Sequence, residues 1–229
     1  MNIKIIIAAH KKYRMPEGEI YLPVHVGAAG RETIEFNTPS VRDDQGDNIS
    51  LKNPYYCELT GLYWAWKNLK SDYLGLAHYR RHFCLKTSKD VWSCILNDRQ
   101  AADLCENYDI IVPAKRRYYI ETLYSHYSHT HSASHLDITG DILYSLYPDH
   151  LPSLDTVLKQ TYGYMFNMFI MRRELVDDYC GWLFSILSEL EQMLPTEGVS
   201  DFEARVCGRV SEILFNVWLR QQTEHGIIS

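Results

Sequence analysis

Four potentially cationic residues fall within five positions at His78-Tyr79-Arg80-Arg81-His82, directly after the apolar run from Tyr73 to Ala77. A guanidinium offers a planar fork of donors that matches phosphate oxygens. Fixed positive charge delivered at the carboxyl end of a buried strand is suited to hold an anion, and open α/β sheets bind ligands at such ends. A surface strand end with solvated arginines has the same composition, so other segments must decide. A second strand-like run ends in Ala8-Ala9-His10-Lys11. Its small residues let a ligand approach the backbone, and Lys11 can reach a phosphate.

Three further groups have chemical potential. The loop Asp43-Asp44-Gln-Gly-Asp47-Asn48, followed by Lys52-Asn53, is polar and acidic. It lacks the alternating acids and terminal Glu of an EF-hand, leaving a solvated turn or a loop that closes over a sugar. His126, His129, His131 and His135 lie in one stretch, and a helix would put His131 and His135 on one face. The H-E-x-x-H glutamate of a zinc hydrolase is missing, so contacts to sugar hydroxyls or phosphate, or a plain exposed helix, are preferred to zinc. Asn167 interrupts an apolar strand-like run and must find partners for its amide, in a structural hub or on a ligand. Glu212 stands in an otherwise apolar helical stretch. It is a candidate general base, or it pairs with Arg205 or Arg209.

These residues need elements to position them. Lys4 to Ala9 and Tyr73 to Ala77 have the pattern of strands buried on both faces, and Tyr108 to Pro113 and Tyr164 to Met171 are further strands. Residues 11–54 look loop-rich. Helical spacing covers Tyr55 to Leu69, Val91 to Asn107, Ile120 to His135, Glu174 to Met193 and Phe202 to Gln221. Pro148 and Pro152 bracket a turn, and Pro195, Gly198 and Ser200 a loop. Alternating strands and helices predict an α/β fold with a mostly parallel central sheet flanked by helices. No linker or repeat divides the chain, so 1–229 is expected to be a single domain.

Composition excludes several classes. A net charge of −6 over 229 residues argues against a general nucleic-acid binder. Seventeen tyrosines and five tryptophans suit clefts that grip sugars or bases as well as cores. Six scattered cysteines, without CxxC spacing, indicate reduced thiols in a cytoplasmic protein. The N-terminal apolar run is too short for a signal peptide, and no stretch reaches the roughly 18 apolar residues of a membrane span. The expected location is the cytoplasm, with peripheral contact at the inner face of the cytoplasmic membrane as an option. Trp182, Leu183, Ile186, Leu187 and Leu190 could make that contact, although packing on the sheet suits the helix's acidic polar face better. G-x-S-x-G, P-loop and G-x-G-x-x-G signatures are missing, which weakens hydrolase, nucleotide kinase and dinucleotide readings.

Together these segments resemble one family. Asp47-Asn-Ile-Ser, Lys52-Asn-x-x-Tyr-Cys-Glu58, Tyr73-Leu-Gly-Leu-x-His78-Tyr-Arg-Arg81, Asn167-x-Phe-Ile-Met171 and Arg205-x-x-Gly208-x-x-x-Glu212 carry the resemblance. It is similar to small bacterial glycosyltransferase-like proteins of capsule, exopolysaccharide and O-antigen loci, long filed as a domain of unknown function. The resemblance implies a GT-A-like, Rossmann-type domain that transfers a sugar, in some members galactofuranose, from a UDP-linked donor to a surface glycan or lipid-linked glycan. A nucleotide-sugar half of about 1–115 and an acceptor half of about 116–229 follow from it. It also places His78, Tyr79, Arg80 and Arg81 where such enzymes usually carry metal-binding acids. The stretch Val206-Cys207, with Arg209-Val210 after Gly208, departs from the aromatic or acidic neighbours expected there.

Combined, the two lines assign Ala8, His10, Lys11, Gly27, Asp47, Asn48, Lys52, Glu58, His78, Tyr79, Arg80 and Arg81 to the donor. His131, Asn167 and Arg205 go to the sugar or acceptor, with Glu212, ahead of Asp137, as base. No metal ion is expected, because fixed positive charge replaces it. The alternatives are a retaining enzyme in which Asp43, Asp44 or Asp47 holds Mn2+ or Mg2+, and a non-catalytic glycan-binding protein.

Overall fold

The computed structural model describes residues 1–86, 88–194 and 200–228. The chain clusters into two compact units, 1–113 with 168–177, and 114–167 with 178–229. Pro195 and Gly198 of the expected loop lie outside the described residues.

The first unit holds a six-stranded sheet. Its strands are β1 (Ile3–Ala9), β2 (Tyr21–His25), β3 (Val41–Arg42), β4 (Tyr73–His78), β5 (Ile110–Ile111) and, much later in the chain, β8 (Phe169–Arg172). The order is β3-β2-β1-β4-β8-β5. β3, β2, β1 and β4 are mutually parallel, and β8 runs antiparallel to both its neighbours. Ile5, Ile6, Ile7, Leu74 and Leu76 are fully buried, as continuous apolar runs in a covered sheet should be. The mostly parallel α/β fold is therefore present, with one reversed strand that the apolar pattern does not disclose.

Two strands fall in the stretch expected to be loop. Pro23 lies inside β2, where a proline argues against a central strand. It is accommodated because β3 pairs only with Val24 and His25, leaving the start of β2 as an edge. The helix expected over Tyr55–Leu69 is two pieces, α1 (Asn53–Tyr56) and α2 (Leu59–Asn68), separated by Cys57 at φ 52°. The helix expected from Val91 begins at Asp98 instead, in α3 (Asp98–Asn107), where Asn97 and Gln100 form a reciprocal cap.

The second unit is mainly helical. It contains a two-stranded ribbon, β6 (Arg116–Arg117) with β7 (Tyr162–Gly163), and helices α4 (Leu123–Thr130), α5 (Ser134–Leu146) and α6 (Leu151–Lys159). Pro152 opens α6 rather than closing a turn. Helix α7 (Arg173–Met193) starts in the first unit, and α8 (Asp201–Ala204) and α9 (Val206–Glu224) follow. Within this unit Tyr179 of α7 meets Phe215 and Trp218 of α9 at ring separations of 5.4 and 5.1 Å. Leu183, Ile186, Leu187 and Leu190 are fully buried. The α7 face proposed as a membrane contact is thus committed to the core. Among the described residues no helix is long and apolar enough to cross a membrane.

Candidate functional site

In the first unit the chain leaves β1 to one side, through β2 and β3, and returns on the other side as β4. The crevice outside the β1 and β4 carboxyl ends is the switch point at which such sheets bind ligands. Register brings Ala8 opposite His78 and Ala9 opposite His25, with His25 opposite Arg42. Strand β4 ends in a tight reversal. His78 and Arg81 exchange backbone bonds of 3.2 and 3.0 Å, and Tyr79 N–H donates to the Ala8 carbonyl at 3.2 Å.

Tyr79 is buried and organises this edge. His10 and Tyr13 meet its ring edge-on, each at 5.2 Å, and Lys11 Nζ and the Arg80 guanidinium lie 5.7 and 5.1 Å from its centre. Arg80 and Arg81 are exposed and line a cleft of about 550 Å³ with Tyr13, His82, Lys86 and Trp92. Among the described residues, none that lines it is a carboxylate. Arg14 stacks on Trp92 at 4.2 Å. Burial, then the neighbouring His78, lowers the His82 imidazole to about 4, so it faces the cleft neutral. The expected His10, Lys11, His78, Tyr79, Arg80 and Arg81 are therefore brought together with Ala8. Tyr13, Arg14, Lys86 and Trp92 join them without having been singled out from the sequence.

The acidic loop and the remaining donor-side residues have partners within the fold. Asp43 is fully buried, and its carboxylate accepts from Gly27 N–H at 2.8 Å, Ala28 N–H at 3.0 Å and Ser50 Oγ at 2.5 Å. Gly27 has φ +64°, and a side chain there would collide with Asn53 at 2.5 Å, so its backbone serves the fold. Asp44 pairs with Arg42 at 2.7 Å. Asp47 is tied to Asn68, whose amide donates to its carbonyl at 2.8 Å. Helix α2 runs from the strand tips back toward the edge where β4 begins. Asn68 is its last residue, so Asp47 sits at the far end of that helix from the crevice. Asn48 closes its own turn onto Gly46 at 2.9 Å. Lys52 lies 5.8 Å from the Tyr56 ring, and Glu58 is half-buried at the start of α2. Among the described residues no group of three or more His, Cys, Asp or Glu side chains converges as metal ligands.

The second unit gathers a different set. His131 caps α4 while His135 is in α5, so the pair does not share a helical face as expected. Both nevertheless converge on Tyr127, with ring separations of 5.0 and 6.1 Å. Arg209 donates to His131 Nδ1 at 3.0 Å and stacks on Phe202 at 4.0 Å. Burial, then the Arg209 charge, lowers His131 to about 4 and also depresses His135. Glu212 is half-buried one turn from Arg209 on α9. Burial raises the Tyr118 and Tyr127 phenols, and the Glu212 carboxylate adds to the rise at each. Glu212 is therefore electrostatically close to both tyrosines. Tyr118 in turn packs against His126 at 4.1 Å.

Asn167 is not in a strand, and its amide has structural partners. It is buried at φ +52° after Phe166 at φ +75°. Its amide donates to the Gly208 carbonyl and accepts from Ser211 Oγ, both at 3.0 Å, which fixes the start of α9. Arg205 is exposed at the break between α8 and α9. Asp137 lies two positions after His135 on α5, hence on the opposite helix face from Tyr127, exposed and bonded to Tyr124 OH at 3.3 Å.

The apo structure of WbbM, a bifunctional glycosyltransferase, superposes with a TM-score of 0.89 at 34% identity, over 98% of this chain and 43% of that one. The chain thus spans less than half the length of that relative. No sequence among the curated proteins matches this chain. The family model described as "Domain of unknown function (DUF4422)" matches residues 4–223, and the chain belongs to that family.

Proposed function

We propose that this protein is a glycosyltransferase that moves a sugar from a UDP-linked donor, with galactofuranose the leading candidate, to a surface-polysaccharide acceptor. The observation that carries the reading is the strand-end cleft, which places Arg80, Arg81 and Lys86 around a volume with no carboxylate among its described lining residues. Such a cleft favours a diphosphate leaving group, and Tyr13 and Trp92 offer faces for a base or sugar ring. The likeness to WbbM supports the same activity class.

In an inverting transfer the acceptor oxygen bonds to the anomeric carbon, the bond to the diphosphate breaks, and the hydroxyl proton passes to a carboxylate. Fixed guanidinium charge stabilises the departing diphosphate, and this is the basis for a metal-independent reaction. Glu212 is the carboxylate we assign as base. The metal-dependent alternative through Asp43, Asp44 or Asp47 is disfavoured by the hydrogen bonds and ion pair that these carboxylates already make.

A lipid-linked acceptor calls for contact with a bilayer at the cytoplasmic face. With the α7 face buried, we assign that contact to the segment from Lys115 to Ile120, which contains β6. It exposes Lys115, Arg116 and Arg117 beside Tyr119 and Ile120, which are 83% and 94% exposed. Cations next to an aromatic and an aliphatic tip suit an anionic interface. Activity assays with UDP-sugars, with and without EDTA, test the reaction. Turnover in EDTA supports it, and activity that vanishes in EDTA and returns with manganese contradicts the metal-free route. Glycan binding without any nucleotide affinity would favour a non-catalytic binding protein.

A further inference from the structure

The far wall of the strand-end cleft contains two thiols in unusual proximity. Cys84 Sγ and Cys94 Sγ are 2.6 Å apart, against about 2.05 Å in a formed disulfide. Cys84 is exposed and Cys94 half-buried, whereas Cys105, Cys180 and Cys207 are buried. The backbone holds the pair in place from below. Cys84 forms an antiparallel bridge with Ile95, and Leu96 N–H donates to the Phe83 carbonyl at 2.9 Å. Above this clamp the connecting segment supplies Lys86, Ser88, Val91 and Trp92 to the cleft wall. Its internal bonds are local, Asp90 N–H to Ser88 Oγ at 3.2 Å and Trp92 N–H to Asp90 Oδ1 at 3.0 Å.

We propose that Cys84 and Cys94 are a reversible dithiol–disulfide site that locks this wall of the cleft. The co-reactant is a low-molecular-weight disulfide such as oxidised glutathione. The Cys94 thiolate attacks one sulfur of the reagent, its S–S bond breaks, and one glutathione thiolate leaves. Cys84 then loses its proton to solvent and attacks Cys94 Sγ, releasing the second thiolate. Two protein thiols are oxidised to one disulfide while one reagent disulfide is reduced to two thiols. The two thiols are interchangeable in this sequence, since exchange through either mixed disulfide ends in the same bridge.

The test treats the folded protein with oxidised glutathione, alkylates the remaining thiols and maps them by peptide mass spectrometry. The expected result is an internal Cys84–Cys94 bridge with Cys57, Cys105, Cys180 and Cys207 still free. Cys84→Ser should instead retain a glutathione adduct on Cys94. Tryptic cleavage at the exposed Lys86 and Lys89 should be slower by roughly tenfold or more in the bridged form, because cleavage follows the population of the locally opened segment. Cys84 and Cys94 both still open to alkylation, or a stable adduct on the wild-type protein without closure, would overturn the proposal. So would a bridge that leaves cleavage at both lysines unchanged.

Discussion

The strand-end cleft of the first unit and the tyrosine–histidine cluster of the second use the same residue types in opposite electrostatic arrangements. Each holds a half-buried imidazole beside arginine, and each lowers that imidazole to about 4. The cleft then adds Arg80, Arg81 and Lys86 and, among the described residues, no carboxylate. The cluster adds Glu212, whose charge reaches Tyr118 and Tyr127. One arrangement is built to hold negative charge, and the other can accept a proton. The assigned division between donor binding and proton transfer rests on this difference.

The largest effect that would sharpen the contrast is expected at Glu212. Glu212→Gln keeps the shape and removes the base. Transfer should fall by about 10²- to 10⁴-fold with donor affinity unchanged, whereas Asp137→Asn should leave steady-state rates near wild type. An equal loss from both variants would dissolve the cluster as a distinct site.

Next in size is Asn167→Ala, which strips two hydrogen bonds from the start of α9 and leaves Gly208 and Ser211 with fewer partners. A stability loss of about 1–3 kcal/mol is expected in urea unfolding, without the selective kinetic defect of Glu212→Gln. An unchanged unfolding midpoint would return Asn167 to the ligand-contact role.

The two imidazoles predict a smaller, pH-dependent term. Each has a folded pKa near 4 against 6.5 in the unfolded chain, so the unfolded state takes up protons first as pH falls. Their contribution is full above 6.5 and is lost between 6.5 and 4. Thermal melts across that window should fall, and His82→Phe should flatten the slope. A slope unaltered by this variant would remove His82 from the account. The smallest effect on stability belongs to Tyr119→Ser with Ile120→Ser, within about 0.5 kcal/mol, because both side chains are exposed. Flotation with anionic vesicles should nonetheless drop, and unchanged flotation would exclude this segment as the membrane contact.

How much of this was legible depended on how local each feature is. The turn from His78 to Arg81 is contiguous, follows a continuous apolar strand and needs no distant partner, so its place could be anticipated. Helix α7, with its long periodic face, was equally clear. Strand β2 was hidden by Pro23, which is acceptable only because β3 begins beyond it. The helix breaks at Cys57, His131 and Arg205 carry no proline or glycine, so the local pattern runs through them. Asn167 was legible as an amide needing partners, but those partners lie on α9, far along the chain. Lys86 and Trp92 enter the cleft from an aperiodic segment and left no signal.

The central claim is that fixed cations at the β4 tip bind the donor's diphosphate, and calorimetric titration of UDP in EDTA tests it most directly. Wild type and Glu212→Gln should bind alike. Arg80→Ala and Arg81→Ala should each weaken binding by roughly tenfold to a hundredfold, the loss of a charge-assisted hydrogen bond worth about 1.5–3 kcal/mol. Binding that survives both arginine changes, or that requires a divalent ion, would contradict the account.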